Sequence, residues 1–353
     1  MLITHCEVTP VNLKLGHPVA IGPSSPIQTV TAIFIRLETR DGRNAWGCAV
    51  AHPQLTGEQP AQAIKVCQHT AERARDLNPT NLEYALAELA QAAQGSPAAR
   101  CAFDLAFYDL FCLAAGMPLY RMLGGYRNRI QTSATIPDCP VNETVETAQK
   151  HARSGFRMLK IKGGRDPQAD VERVKALHRA FPDHILRLDA DGQYTVQQSV
   201  DVAEACAGIL EMLEQPTPPA DLEALGQVTR RSKIPILADE SVCSPAAALQ
   251  LAAGHYATGI CVKVAACGGL HDARQVDSIA RAARLATMVG CLIEPALLIS
   301  AGLSLALSSP NVQFADLDGY LDIEQDPSTA SFRMEDGWLV ASEIPGLGCS
   351  VDI

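Results

Sequence analysis

The sequence predicts an α/β fold, a parallel eight-stranded barrel joined to a smaller α+β domain. Three observations carry this expectation. From about residue 130 the chain alternates strand-like and helix-like patterns with a repeat of roughly 25 residues. Asp189, Glu214 and Asp239 each close a short apolar run, evenly spaced 25 residues apart. Before residue 125 neither feature occurs, and the pattern is a β-meander followed by helices. A chain of 353 residues has room for a barrel and an accessory domain.

At the N-terminus, β-rich runs at 30–38 and 45–50 flank Asp41-Gly42, which is hairpin turn chemistry. Residues 15–26 are rich in Gly and Pro, as a plain connector or a flap over a site would be. Helical patterns cover 58–76 and 82–93. A third, at 97–115, is apolar nearly all round, with Asp104 and Asp109 its only charges after Arg100, and should be buried. Gly116, Pro118 and Gly124-Gly125 close this part, so the first domain spans 1–125. Strands are expected at 131–136, 158–162, 185–189, 209–214, 236–239, 259–264, 287–291 and 312–316. Helical patterns lie between them, such as the stripe Leu270, Ala273, Val276, Ile279, Ala280 and Ala283. Strands alternating with helices close as a parallel barrel, here 126–320, with functional groups at the strand C-termini. Residues 321–353 read as irregular and are expected to pack back on the first domain.

A net charge of −10 and the lack of any Lys/Arg-rich tract argue against nucleic-acid or anionic-membrane partners, which leaves a small molecule. The twelve cysteines form no Cys-x-x-Cys pair or zinc spacing, in keeping with a reduced cytoplasmic setting. The first residues lack a signal's basic and apolar regions. Glu294 and Pro295 interrupt the one long apolar stretch, 287–307, so no membrane span is expected.

The three acids would offer oxygen ligands at one barrel rim, a set that suits a hard divalent cation such as Mg²⁺, with Mn²⁺ able to substitute. Lys160 and Lys162 end the second strand on one face, and like charge from Lys160 should lower the pKa of Lys162, freeing a base. Lys263 ends the sixth strand, across the barrel. Asp316 and Asp318 end the eighth, as a clamp for an ammonium group or as turn acids before Gly319. Asp191 and Glu240 sit beside the proposed ligands. Gly163-Gly164 and Gly268-Gly269 are candidate phosphate nests or turn punctuation. Calcium-hand, P-loop, H-E-x-x-H and G-x-S-x-G patterns are missing.

As a set, Lys160-x-Lys162, Asp189, Glu214-Gln215-Pro216, Ala238-Asp239-Glu240-Ser241 and Lys263 with Gly268-Gly269 resemble the enolase superfamily, in its muconate-lactonising subgroup. The stretches from Met288 to Glu294 and from Phe314 to Gly319 are similar to dipeptide epimerases of the L-Ala-D/L-Glu epimerase kind. The resemblance implies a modified (β/α)7β TIM-type barrel under a capping domain built from both chain ends, with 15–26 as an active-site loop. It implies Mg²⁺ on Asp189, Glu214 and Asp239, and Lys162 and Lys263 as acid/bases aided by Lys160. Asp316 and Asp318 would bind the ammonium of a dipeptide, and Thr135, Glu294 and His17 would contact substrate. The implied reaction is 1,1-proton transfer at the α-carbon of the C-terminal residue through a metal-stabilised enediolate, in an enzyme expected to self-associate as a homo-oligomer.

Two departures bear on specificity. Residues 15–26 contain no Arg to hold an acidic side chain, only His17, and Pro295 follows Glu294 where a Ser is usual. An N-acylamino acid racemase, a cycloisomerase or a dehydratase would use the same metal and lysines. A barrel that binds metal and ligand without turnover is the reading from another class. Cys139, Cys267 and Cys291 fall near the barrel mouth without an assigned role.

Overall fold

Alternating β-branched and apolar residues build an antiparallel sheet of β1 (Ile3–Val19), β2 (Ile27–Thr39) and β3 (Asn44–Val50), in that order. The structure, a computed structural model, describes residues 1–19 and 26–353; half of the expected flap, residues 20–25, lies outside the described residues, and 15–19 continue strand β1 rather than forming a loop. The β2–β3 turn closes on Gly42, at φ 83°, with Thr39 Oγ1 donating to Asp41 Oδ1 at 2.5 Å. Helix Pro97–Ala115 packs on β3. Its start is capped by Ser96 Oγ, which accepts from Ala99 N at 3.1 Å, and it stops at Gly116 in the left-handed region. Gly47 makes this packing feasible, because a Cβ there would stand 1.9 Å from Ala102 O.

The helix is buried as expected, and its two acids bond to backbone N–H groups elsewhere. Asp104 accepts from Leu270 N at 2.7 Å and His271 N at 3.2 Å, joining the cap to the barrel. Asp109 accepts from Trp46 N at 2.9 Å and Leu347 N at 2.6 Å, joining it to the C-terminal tail. Burial pushes both carboxyls up to about 7.

After β4 (Arg129–Gln131) come the barrel strands: β5 (Ala134–Ile136), β6 (Met158–Lys162), β7 (Ile185–Asp189), β8 (Leu210–Glu214), β9 (Ile236–Ala238), β10 (Gly259–Lys263), β11 (Ala286–Gly290) and β12 (Val312–Asp316). They pair in parallel in chain order, and Ser133 N donates to Ala315 O at 3.3 Å where the first meets the last. Each of the first seven is followed by a long helix, whereas β12 leads only into the 3₁₀ turn Gly319–Asp322, which makes a (β/α)7β barrel. Among the described residues no helix is long and apolar enough to cross a membrane.

Two local expectations are corrected. The strand expected at 131–136 is two strands, because Thr132 and Ser133 turn their hydroxyls inward: Thr132 Oγ1 accepts from Leu317 N at 2.8 Å. β4 therefore leaves the barrel for a separate sheet. Its partners, β13 (Phe332–Glu335) and β14 (Trp338–Ala341), form a hairpin in the tail expected to be irregular. The signal lay in Asp336-Gly337, whose φ values of 49° and 77° are those of a type I′ turn.

Candidate active site

Register sets the rim. Lys162 pairs with Asp189 across β6 and β7, and Asp189 with Glu214 across β7 and β8, while Asp239 follows the last residue of β9. Lys162 and Lys263 end β6 and β10, four strands apart in a barrel of eight, and so face each other across it. The three acids lie on the strands between. Alternation along β6 turns Lys160 into the barrel as well, where it is 3% exposed. Its Nζ lies 2.9 Å from Asp189 Oδ2, 2.9 Å from Glu214 Oε2 and 2.8 Å from Asp316 Oδ2. Lys162 Nζ is 2.8 Å from both Asp189 Oδ2 and Asp191 Oδ1, and Lys263 donates to Asp239 Oδ2, with Glu240 Oε1 at 3.8 Å.

These contacts correct the expected sign at Lys162. Burial works against its charge, and Lys160 and Lys263 repel it, but Asp189 and Asp191 outweigh them and hold the ammonium above its ordinary range. Lys160 and Lys263 are likewise held well above it, by carboxylates that overcome burial. A divalent cation on the same carboxylates would compete with the lysines for them and remove much of that pull.

The donor set fits such a cation. Glu214 is fully buried, and among the described residues neither of its oxygens has a hydrogen-bond partner, although Lys160 Nζ forms an ion pair with Oε2. Burial and the neighbouring carboxylates Asp189 and Asp239 push its pKa well up despite Lys160. A buried carboxylate that lacks a hydrogen-bond donor and lies beside two others is a costly arrangement for a protein alone and a favourable one around a hard cation.

The remaining predicted residues are not all alike. Asp316 is tied up internally, accepting from Lys160 and, at 2.6 Å, from Ser133 Oγ. Asp318 accepts only from the Thr135 backbone N, at 2.6 Å, and has no cationic partner among the described residues. Burial and then the Asp316 charge push it up to about 7. Glu294 is buried, accepts from Leu292 N at 3.2 Å and is pushed up to about 7 by burial. His17 is 58% exposed, with Nε2 3.6 Å from Asp322 Oδ1. Neither diglycine is an open phosphate nest: Gly164 N donates to Asp170 Oδ2 at 2.8 Å, and a Cβ at Gly269 would meet the Asp104 carboxylate. Cys139 contacts Thr144, Cys291 Sγ accepts from Gly319 N, and Cys267 is buried.

Three contributors were not singled out from sequence. Ser133 fixes Asp316, and its alternation with Thr135 was the available signal. Gln215, at φ 32°, accepts from Asp239 N at 2.8 Å and so joins two of the acids. Asp170 holds the loop after Lys162 and is itself held by Arg173 and Tyr194.

Comparison with known proteins accounts for both parts of the chain. Residues 3–124 match the family model described as mandelate racemase / muconate lactonizing enzyme, N-terminal domain, and residues 143–353 match the enolase C-terminal domain-like model. The chain belongs to the mandelate racemase / muconate lactonizing enzyme family. Among family relatives, it is 33% identical to a hydrophobic dipeptide epimerase of Enterococcus faecalis, over 98% of each chain. It is equally similar, at 33% over 99% of each, to an L-Lys-D/L-Arg epimerase of Methylococcus capsulatus. Its fold superposes on a substrate-liganded L-Ala-D/L-Glu epimerase from Bacillus subtilis with a TM-score of 0.96, at 28% identity and full coverage of both chains. The TM-score is 0.95, at 33% identity, with the Enterococcus faecalis dipeptide epimerase complexed with Mg and L-Leu-L-Tyr, covering 99% of this chain and 100% of that one.

Proposed function

We propose that this chain is a Mg²⁺-dependent dipeptide epimerase that inverts the α-carbon of the C-terminal residue by 1,1-proton transfer. The observation that carries the reading is the pair Lys162 and Lys263 on opposite sides of a rim whose intervening strands bear Asp189, Glu214 and Asp239. An α-proton next to a carboxylate is weakly acidic, because its removal places more negative charge on a group already charged. A divalent cation on Asp189, Glu214 and Asp239 supplies the positive charge that offsets this build-up.

The chain's own residues do the rest. One lysine, neutral at Nζ, takes the α-proton, whose electron pair delocalises into the carboxylate and leaves the carbon planar, and the other, protonated, delivers a proton to the opposite face. Lys160 is bracketed by three carboxylates and stays charged, adding fixed positive potential between the two bases. Asp318, half-buried and without a cationic partner among the described residues, binds the dipeptide's free ammonium, while Asp316 acts through Lys160 and Ser133. Thr135 places Asp318 through its backbone N–H.

The second residue of the dipeptide is proposed to be other than acidic. Residues 15–26 carry no Arg, and the relatives at 33% identity are named for hydrophobic and for Lys/Arg dipeptides. A cytoplasmic setting, supported by twelve unpaired thiols, and assembly as a homo-oligomer complete the proposal. Incubating the protein with Mg²⁺ and a dipeptide library in D₂O tests it. Deuterium should enter the C-terminal α-position of apolar or cationic dipeptides; incorporation confined to Ala-Glu would refute the specificity, and none in any dipeptide would refute the reaction.

A further inference from the structure

Cys261 sits one layer below Lys263 on β10, fully buried. On one side it joins an apolar plug of Met212, Leu237 and Met288. On the other its Sγ lies within 4.8 Å of carboxylate oxygens of Glu214 and Asp239, which lie that close to each other as well. Gly290 leaves space for the sulfur, since a Cβ there would come within 2.6 Å of Sγ. The independent sign of a missing ligand is Glu214, whose two buried oxygens lack any hydrogen-bond partner among the described residues.

We propose that Cys261 is a sulfur donor to a cation held by Glu214 and Asp239, making this centre a binding site for thiophilic divalent cations such as Co²⁺, Zn²⁺ or Cd²⁺. The inference rests on reading the two carboxylates as cation ligands. Metal–sulfur and metal–oxygen bonds of about 2.3 Å and 2.0–2.2 Å place two donors of one ion no more than about 4.5 Å apart. Donors at tetrahedral angles stand about 3.5 Å apart, so closing the cluster takes side-chain shifts of up to about 1 Å. Coordination forms the metal–sulfur bond and breaks the S–H bond; the proton passes to solvent and the metal keeps its oxidation state. Hard Mg²⁺ gains little from sulfur, whereas softer ions gain a strong ligand, so the set of cations accepted depends on this thiol.

Titrating the full-length protein with Co²⁺ tests the assignment through spectra and calorimetry, without reference to turnover. Wild-type protein should develop a sulfur-to-cobalt charge-transfer band in the near ultraviolet that saturates at one equivalent. The band should persist in C243S, which removes the exposed thiol, and be lost in C261S and C261A. C261S should also weaken Cd²⁺ binding by roughly tenfold or more, because ligand softness selects the cation. One equivalent of Co²⁺ bound and displaced by Mg²⁺, with no charge-transfer band in wild type, would overturn the role of Cys261 and leave the carboxylate reading standing. A band surviving in C261S would also overturn it. If calorimetry detects binding of neither Co²⁺ nor Mg²⁺, the reading of the carboxylates fails, and the proposal with it.

Discussion

Substituting Asp318 by Asn separates a dipeptide enzyme from one acting on N-acyl amino acids. Asp318 is half-buried at the end of the barrel and, among the described residues, its carboxylate accepts from the Thr135 N–H and has no cationic partner, so its negative charge is available to a substrate ammonium. A hydrogen bond to a charged partner contributes about 1.5–3 kcal/mol, which corresponds to roughly a 10- to 150-fold rise in KM for dipeptides in D318N. An N-acyl amino acid has no ammonium and should be bound equally well by both proteins. The pH profile gives a second signature. With its carboxyl pushed up to about 7, Asp318 carries a proton below that pH and loses its attraction for a cation, so dipeptide affinity falls as pH drops through 7. That acid limb should be missing in D318N. Steady-state kinetics on matched dipeptide and N-acyl substrates from pH 5.5 to 8.5 measures both effects. An unchanged dipeptide KM, or an equal loss on both substrate types, would refute the reasoning.

Two further outcomes follow from the contacts described. Chelation with EDTA should abolish activity and Mg²⁺ restore it, while Asp239→Asn should raise the Mg²⁺ concentration needed by roughly tenfold or more, as loss of a ligand does; calorimetric Mg²⁺ titration checks this. Asp104→Ala leaves the N–H groups of Leu270 and His271 without their acceptor and should lower stability by about 1–3 kcal/mol, read from urea unfolding.

Much of the fold was legible because burial imposes period. The barrel strands are short apolar runs, several of them ended by charged residues, and seven of the eight begin and end within one residue of their expected bounds or match them: β6, β7, β8, β9, β10, β11 and β12. The buried cap helix was visible in its unbroken apolar composition. What escaped was decided by individual hydroxyls and turns. Thr132 and Ser133 read as ordinary strand residues, yet their side-chain bonds end one strand and start another. Asp336-Gly337 is a strong hairpin signal, but it is flanked by strands of only four residues whose alternation is too brief to register. At the rim, chain spacing identified acids and lysines that register then brings together. The charge balance among them was not legible, because Lys162 responds to Asp189 and Asp191 at 2.8 Å more than to its neighbour in sequence. The same holds for Asp316 and Asp318, two residues apart in sequence but differing in partners.

The central claim is that Lys162 and Lys263 serve opposite faces of one α-carbon. Each alanine variant, K162A and K263A, should be incubated in D₂O with Mg²⁺ and one pure epimer of a turned-over dipeptide, following α-deuterium by mass spectrometry and configuration by chiral chromatography. Epimerisation should fall by about 10²- to 10⁴-fold in both, the usual contribution of a general acid or base. Each variant should still exchange the α-proton of one epimer only, and the two variants should choose opposite epimers. Exchange of the same epimer by both variants, or epimerisation by either at the wild-type rate, would contradict the two-base account.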